Sequence, residues 1–227
     1  EGQVSCFENA QSRMGQRETT MKHFLFSLAI LCLASSIMHA QDTQLLFENS
    51  DFENGNLKNW TAEGEAFLHQ PTKGDNIKAR GRGYSKHQGQ YWIGTFEDHD
   101  GIHGTPGQAK GDISVGRLTS IPFMLQQKFM TFRIGGGAAS KQLSVGLICE
   151  GKEISLATGT RTEAMALVSV DVSRYMGKTV QIKIVDHATG HWGHLNVDDF
   201  RGGSMELGVT PGSGLQTFPT YLATNYD

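Results

Sequence analysis

The chain has 227 residues, with 23 acidic and 20 basic side chains and a formal net charge of −3 at neutral pH. That near balance gives no electrostatic reason to expect nucleic acid or an anionic membrane surface as partner, and it argues against a strongly acidic, ion-templating protein. The length suffices for one β domain that rests on its own core.

Residues 1–20 begin without an initiator methionine and read as upstream sequence or an N-terminal extension absent from the mature protein. Gly15 and Thr19 after Met14 match a myristoylation pattern, but the apolar segment just behind overrides that reading. Residues 21–40 read as a signal peptide: a short basic start at Lys22 and His23, an apolar run from Phe24 to Ala34, and a small-residue exit ending at Ala40. The apolar run falls short of the roughly 20 residues of a membrane span. A secreted, extracellular product starting near Gln41 is expected. Its removal takes three acidic and three basic residues with it, so the charge balance stays. It also takes Cys6 and Cys32, leaving Cys149 without an internal disulfide partner.

Beyond residue 40, short strand-like runs recur between turn residues. They are Gln44–Glu48, Ala66–His69, Gln90–Phe96, Arg117–Phe123, Lys128–Ile134, Leu143–Cys149, Glu153–Ala157, Met165–Val172, Val180–Val185 and His194–Phe200. Many alternate strictly, as in Val145, Leu147 and Cys149 or in Met130, Phe132 and Ile134. No long amphipathic helix occurs; Asp171 to Gly177 has room for one turn. This spacing predicts an all-β fold, a single antiparallel β-sandwich or jelly roll over residues 41–201. Residues 202–227, poor in charge and rich in Gly, Thr, Ser and Pro, read as a loosely ordered tail. Asn59-Trp60-Thr61 is a glycosylation sequon, usable where Asn59 is exposed.

The most informative stretch is Thr179 to Phe200, two alternating strands joined by a loop that carries His187, His191, Trp192 and His194. Loops on a rigid sheet are where binding groups concentrate. An exposed Trp192 would stack on a sugar ring, whereas a buried one would plug the sandwich end; the plug is the commoner fate of tryptophan. Trp60 reads as core. Tyr91 and Trp92 point to opposite faces, so one of them is free for contact. His187, His191 and His194, like His99 and His103, lack the convergent spacing of a zinc site and read as hydrogen-bonded surface histidines. Cys149 reads as a buried, inert thiol. No nucleophile elbow or phosphate-cradling loop occurs.

Two parts of the chain resemble known families. Asp51 to Ala66, with Phe52-Glu53-Asn54-Gly55 ahead of Trp60, is similar to the opening of jelly-roll carbohydrate-binding modules. Gly116–Phe123, Phe129–Gly137, Val145–Lys152, Val170–Asp186 and Gly190–Phe200 occur in an order that resembles a β-sandwich module beside levanase- and invertase-type glycoside hydrolases. That module also occurs in secreted animal proteins without the catalytic domain. The resemblance covers about Trp60 to Arg201 and implies a sandwich fold and a glycan ligand. No five-bladed hydrolase domain accompanies it here, so a non-catalytic module rather than an enzyme is expected. The residues expected to meet the ligand are Trp92, Asp98, His99, His103, Arg133, His191 and Trp192. The resemblance further implies a structural calcium shared between the first and last strands, at Asp51, Glu53, Asp198 and Asp199, with carbonyls of the Asn54-Gly55-Asn56 turn completing an oxygen shell. The alternative for Asp198 and Asp199 is that they cap the sheet by accepting from loop amides. A second function also stays open, a structural component of a secreted extracellular or mineral-associated matrix.

Overall fold

The computed structural model describes residues 43–204, and all that follows concerns them. Their alternating apolar residues assemble two antiparallel sheets. The first runs in the order β10 (Thr162–Asp171), β7 (Phe129–Gly136), β12 (Leu195–Gly203), β4 (Tyr91–Gly94), β3 (Thr72–Lys73), and β1 (Thr43–Leu45) pairs with the distal half of β12. The second runs β2 (Trp60–Gly64), β5 (Gly116–Ser120), β11 (Thr179–Asp186), β8 (Leu143–Cys149), β9 (Lys152–Ala157), with β6 (Phe123–Met124) beside the start of β11. From β7 to β8, from β9 to β10 and from β11 to β12 the chain crosses between sheets, as it does in jelly-roll sandwiches. The expected all-β sandwich is the fold.

Met130, Phe132, Ile134, Leu195, Val197 and Phe200 from the first sheet meet Leu118, Val145, Leu147, Ile182 and Ile184 from the second in one apolar core. Phe52 is fully buried and stacks on Trp60 with centroids 5.0 Å apart. The Trp60 indole N–H donates to the Asn49 carbonyl at 3.0 Å, satisfying its one polar atom. Cys149 is buried on the same face as Leu147, as its alternation implied.

Three departures from the pattern-based expectations have physical causes. Ala66–His69 is not a strand: Glu65–Phe67 forms a 3₁₀ turn after Gly64, whose φ of 80° breaks the extended course. Ala66 and Phe67 are consecutive yet both buried, which a strand does not allow. β2 escapes detection because only Trp60 of its five residues is buried, so it has no alternation to read. The last strand runs to Gly203 rather than ending before residue 202, because Gly202 and Gly203 pair with β7 on one side and β1 on the other. A Cβ at Gly202 would meet Gln127 and Leu46 within 3.0 Å, so the missing side chain lets three segments approach. The remaining tail and residues 1–40, with the expected extension and signal peptide, lie outside the described residues.

The outer face of the first sheet is not left to solvent. The segment 74–90, including the single-turn helix α1 (Ile77–Arg80), lies across it. Trp92 is fully buried beneath this segment and outside the main core. Its indole N–H donates to Gly74 O at 3.1 Å, the Arg80 guanidinium sits 5.2 Å from its ring centre, and His87 stacks at 6.0 Å.

Candidate functional site

The connection from β4 to β5 and the loop from β11 to β12 meet at one end of the sandwich. They are drawn together because Thr95, just after β4, both accepts from Leu195 N (2.9 Å) and donates to Leu195 O (3.3 Å). Gly190 N donates to Asp112 O at 2.8 Å, tying the tip of the second loop to the first. Trp192 adopts a left-handed backbone, φ 63°, which turns its indole across the ring of His194 with centroids 5.5 Å apart at 27°. Trp192 is half-buried, so it is neither the core plug expected from tryptophan's usual fate nor a free-standing ring. The reason lies beneath it. The position a plug would take is filled by His194, with 3% exposure, whose Nδ1 lies 2.6 Å from Asp112 Oδ1. Its Nε2 faces Glu163 Oε1 at 3.6 Å, an ion-pair separation too long for a hydrogen bond. His194 is thus no surface histidine. Burial works against its proton, but the carboxylates of Glu163 and Asp112 outweigh burial and raise its pKa.

Glu163 connects this ring pair to a charged network under the 74–90 segment. The Arg80 side chain is completely buried, and its guanidinium reaches Asp75 at 2.6 Å, Glu163 at 2.9 Å and Glu97 at 3.0 Å. Arg82 lies 3.7 Å above the Phe96 ring and pairs with Glu163 at 3.1 Å and also with Glu97. Asn196 on β12 donates to the Glu163 carbonyl at 3.0 Å. Burial raises the pKa of Glu97 despite both arginines. Burial acts the same way on Glu163, but His194 and Arg82 overcome it and bring that carboxyl down to about 2. The result is an aromatic ring at the surface, with carboxylates and guanidinium groups fixed around its support.

A second cluster sits on the same β4–β5 connection. Asp98 lies 2.7 Å from His69 Nδ1 and accepts from Gln108 at 2.8 Å; Asp100 lies 2.8 Å from His103 Nδ1. The imidazoles of His69 and His103 stack with centroids 4.4 Å apart at 13°. His99 Nδ1 lies 3.2 Å from His103 O, and Ile102 beside it is 85% exposed. The Lys110 ammonium donates to Leu68 O at 2.5 Å; burial lowers its pKa to about 8 against the pull of Asp98 and Glu97.

The four acidic residues expected at calcium take different partners. Asp198 is fully buried at a bulge of β12, where Asp199 has φ 58°. Its Oδ2 accepts from Gln88 N at 2.7 Å, and its Oδ1 has no hydrogen-bond partner. Burial raises its pKa well above the carboxylate range, and the charges of Asp199 and Glu53 add to the shift. Glu53 accepts from Gln90 N and Tyr91 N, both at 2.9 Å. Asp199 is turned to Arg201 at 2.6 Å, and Asp51 accepts from Glu53 N at 3.3 Å within its own turn. Asn54 O and Asn56 O are taken by the side-chain amides of Asn56 and Asn49. Among the described residues no set of three or more His, Cys, Asp or Glu side chains is arranged to hold a metal ion.

Of the residues expected to meet a ligand, His191 and Trp192 stand together on the β11–β12 loop, and Asp98, His99 and His103 stand together on the β4–β5 connection. Arg133 lies on β7, not on either loop, and is the register partner of Asp198 on β12. Trp92 is withdrawn from contact, because the 74–90 segment covers the face that strand alternation marks as exposed. Asn59 is half-buried and its side-chain amide donates to Glu48 O at 2.9 Å. Asp112, Glu163, Arg80 and Arg82 were not anticipated, and Glu97 only as the start of a candidate contact loop; the five come from three segments, 74–90, the β4–β5 connection and β10, and no spacing in the sequence connects these.

No protein-family model matches the chain. It is similar to a protein of Aspergillus rugulosus whose name, ecdE, is that of a glycosyl hydrolase, with 34% identity over 111 residues. Those residues are 46% of this chain but only 16% of the relative, so the chain spans about one sixth of that protein's length. Among solved structures it is similar to TmCBM61, a carbohydrate-binding module in complex with beta-1,4-galactotriose, with TM-score 0.43 and 17% identity over 69% of this chain and 96% of that one. It is also similar to a cyclase from Fischerella sp. TAU (TM-score 0.40, 13% identity, 70% and 96% covered) and to the K1 cleaved adhesin domain of Lys-gingipain from Porphyromonas gingivalis W83 (0.39, 13%, 72% and 97%).

Proposed function

We propose that this protein is a secreted, non-catalytic module that binds carbohydrate at the loop end of the sandwich, with Trp192 as the stacking platform. The observation that carries this reading is the partly exposed Trp192 ring, stacked at 27° on a buried imidazole that two carboxylates flank. A sugar offers an apolar C–H face and a rim of hydroxyls. The indole fits the first, and Asp112, Glu163 and Arg82 beside it fit the second. His191 and the Asp98–His103 cluster flank the platform. The partial similarity to a protein named as a glycosyl hydrolase agrees with a glycan ligand. The side chains of Asp198 and Glu53, with main-chain carbonyls, would hold a structural calcium. The fit rests on the orphaned, buried Asp198 Oδ1, an oxygen that a cation would satisfy. When bound, the ion would take the place of the proton that burial, with the charges of Asp199 and Glu53 added, otherwise favours on Asp198.

The test is Trp192→Ala against an array that includes fructans and β-linked galactans and glucans. Loss of about 1–3 kcal/mol of binding, with the melting temperature kept, is the expected result. A variant that binds every glycan as the native protein does would remove Trp192 from the site. A native protein that binds no glycan but is retained in an insoluble extracellular matrix would favour the second reading, a structural component of that matrix. That reading is favoured by the long polar outer face of the second sheet, where Glu63 and Arg117 pair on neighbouring strands and Glu153 of β9 pairs with Lys183 of β11 across β8.

A further inference from the structure

The loop that carries Trp192 is bracketed by two buried titratable side chains. Asp186 is the last residue of β11, 1% exposed, and neither carboxylate oxygen has a hydrogen-bond partner. The Thr95 hydroxyl and the Ala188 amide are the donors nearest to it, and the Thr95 hydroxyl also reaches Leu195 O at 3.3 Å. His194 directly precedes β12, clamped between Asp112 and Glu163. The groups that face this pair come from several elements. They are Thr95 and Phe96 after β4, Lys110 and Asp112 on the β4–β5 connection, and Glu163 on β10 with Arg80 and Arg82 behind it. His187 and His191 on the loop itself are exposed.

Each group prefers its protonated form only while the loop is seated. In a seated Asp186 the Thr95 hydroxyl, the Ala188 amide and the His194 charge do not outweigh burial, to which Asp112 adds, whereas opening the loop would let water hydrate a carboxylate. A seated, charged His194 bridges two carboxylates, whereas a neutral one keeps at most a single hydrogen bond. Loss of either proton weakens the seating, so the two groups act in the same direction.

We propose that Asp186 and His194 form a proton-controlled clasp on residues 187–193, which holds Trp192 tightly in acid and loosens as pH rises. As a regulation of glycan binding it rests on the reading of Trp192 given above. Burial pushes Asp186 up to about 7, and Glu163 and Asp112 hold His194 above its ordinary value despite burial. Both groups therefore bind protons more tightly in the seated form. The seating that Asp186 contributes is complete below its ordinary value, about 3.9, and is lost as pH rises to about 7; the part from His194 is lost above about 6.5.

The Gly190 amide, bonded to Asp112 O, reports the opening without any ligand. Its hydrogen-exchange protection, corrected for intrinsic rate, should fall about ten-fold per pH unit between about pH 5 and 7. In Asp186→Asn, which keeps the shape without the charge, that fall should vanish, and protection at pH 7 should exceed the native value. General destabilisation cannot produce such a gain. His194→Gln should remove the further fall above about pH 7 and provides the check if Asp186→Asn does not fold. Native protection that is flat with pH, or an Asp186→Asn profile that copies the native one, overturns the clasp and leaves the glycan reading standing. Absence of any glycan ligand, with Gly190 still titrating as expected, sinks the glycan reading and leaves the clasp.

Discussion

Arg80→Ala should be among the most damaging single changes in this domain. The guanidinium is wholly buried between Asp75, Glu97 and Glu163 and lies over the Trp92 ring. Its removal leaves Glu97, itself 2% exposed, and Glu163 inside the protein with Arg82 as the cation they share and His194 beside Glu163. Breaking a buried ion pair from one side costs about 3–5 kcal/mol. Arg82 can share some of the orphaned charge, which points to the lower end, while the cavity against Trp92 adds to the cost. About 3–4 kcal/mol is the expectation, read as a lower urea midpoint at unchanged slope. The penalty should also depend on pH. Burial already raises the pKa of Glu97 and Arg80 is the leading charge that opposes this, so without Arg80 the carboxyl takes up a proton more readily as pH falls and its unpaired charge is relieved. The difference between Arg80→Ala and the native protein should therefore shrink from pH 7 to pH 3. Arg80→Met, which fills the space without the charge, should leave the carboxylates equally unpaired and recover only the packing. A loss below about 1 kcal/mol for Arg80→Ala, or one that is the same at pH 7 and pH 3, would refute the picture of a charged network pinning the 74–90 segment.

If Asp198 and Glu53 hold calcium, a chelator should lower the melting temperature, added calcium should restore it, and Asp198→Asn should abolish the response. Because the raised pKa of Asp198 makes calcium compete with a proton, the restoring effect should grow as pH rises; a melt indifferent to chelator throughout leaves Asp198 as a cap on the Gln88 amide. N-terminal sequencing of secreted material should find a start near Gln41, and a start at Met21 or earlier refutes the signal-peptide reading. Treatment with an N-glycosidase should shift the mobility of native protein from a eukaryotic secretory host but not that of Asn59→Gln; equal mobility of the two means that the bond from Asn59 to Glu48 O keeps the sequon unmodified.

Alternation made the sandwich legible without coordinates. Met130, Phe132 and Ile134, or Val180, Ile182 and Ile184, can bury their side chains together only as strands with one face on a core, and the turns between such runs set the order of elements. Trp60 was legible as core, whereas Phe52, fully buried against it, was not. Period-two patterning reports only whether one face is buried, not what covers the other. That is why Trp92 read as a contact: the segment laid over it depends on Arg80 finding carboxylates from Glu97 and from Glu163, 83 residues away. The same limit explains Trp192 and His194. Their loop was visible as a cluster of aromatic and polar side chains, but which ring goes inside was decided by Asp112 and Glu163. A histidine that meets two carboxylates can be buried at little cost, and once it occupies the sandwich end the tryptophan has to stay above it. The sequence alone thus determined the sheets and the loop that bears the candidate site, because apolar periodicity acts locally. Only the tertiary structure decided which of the loop's side chains face solvent, because that depends on charges brought together from three distant segments.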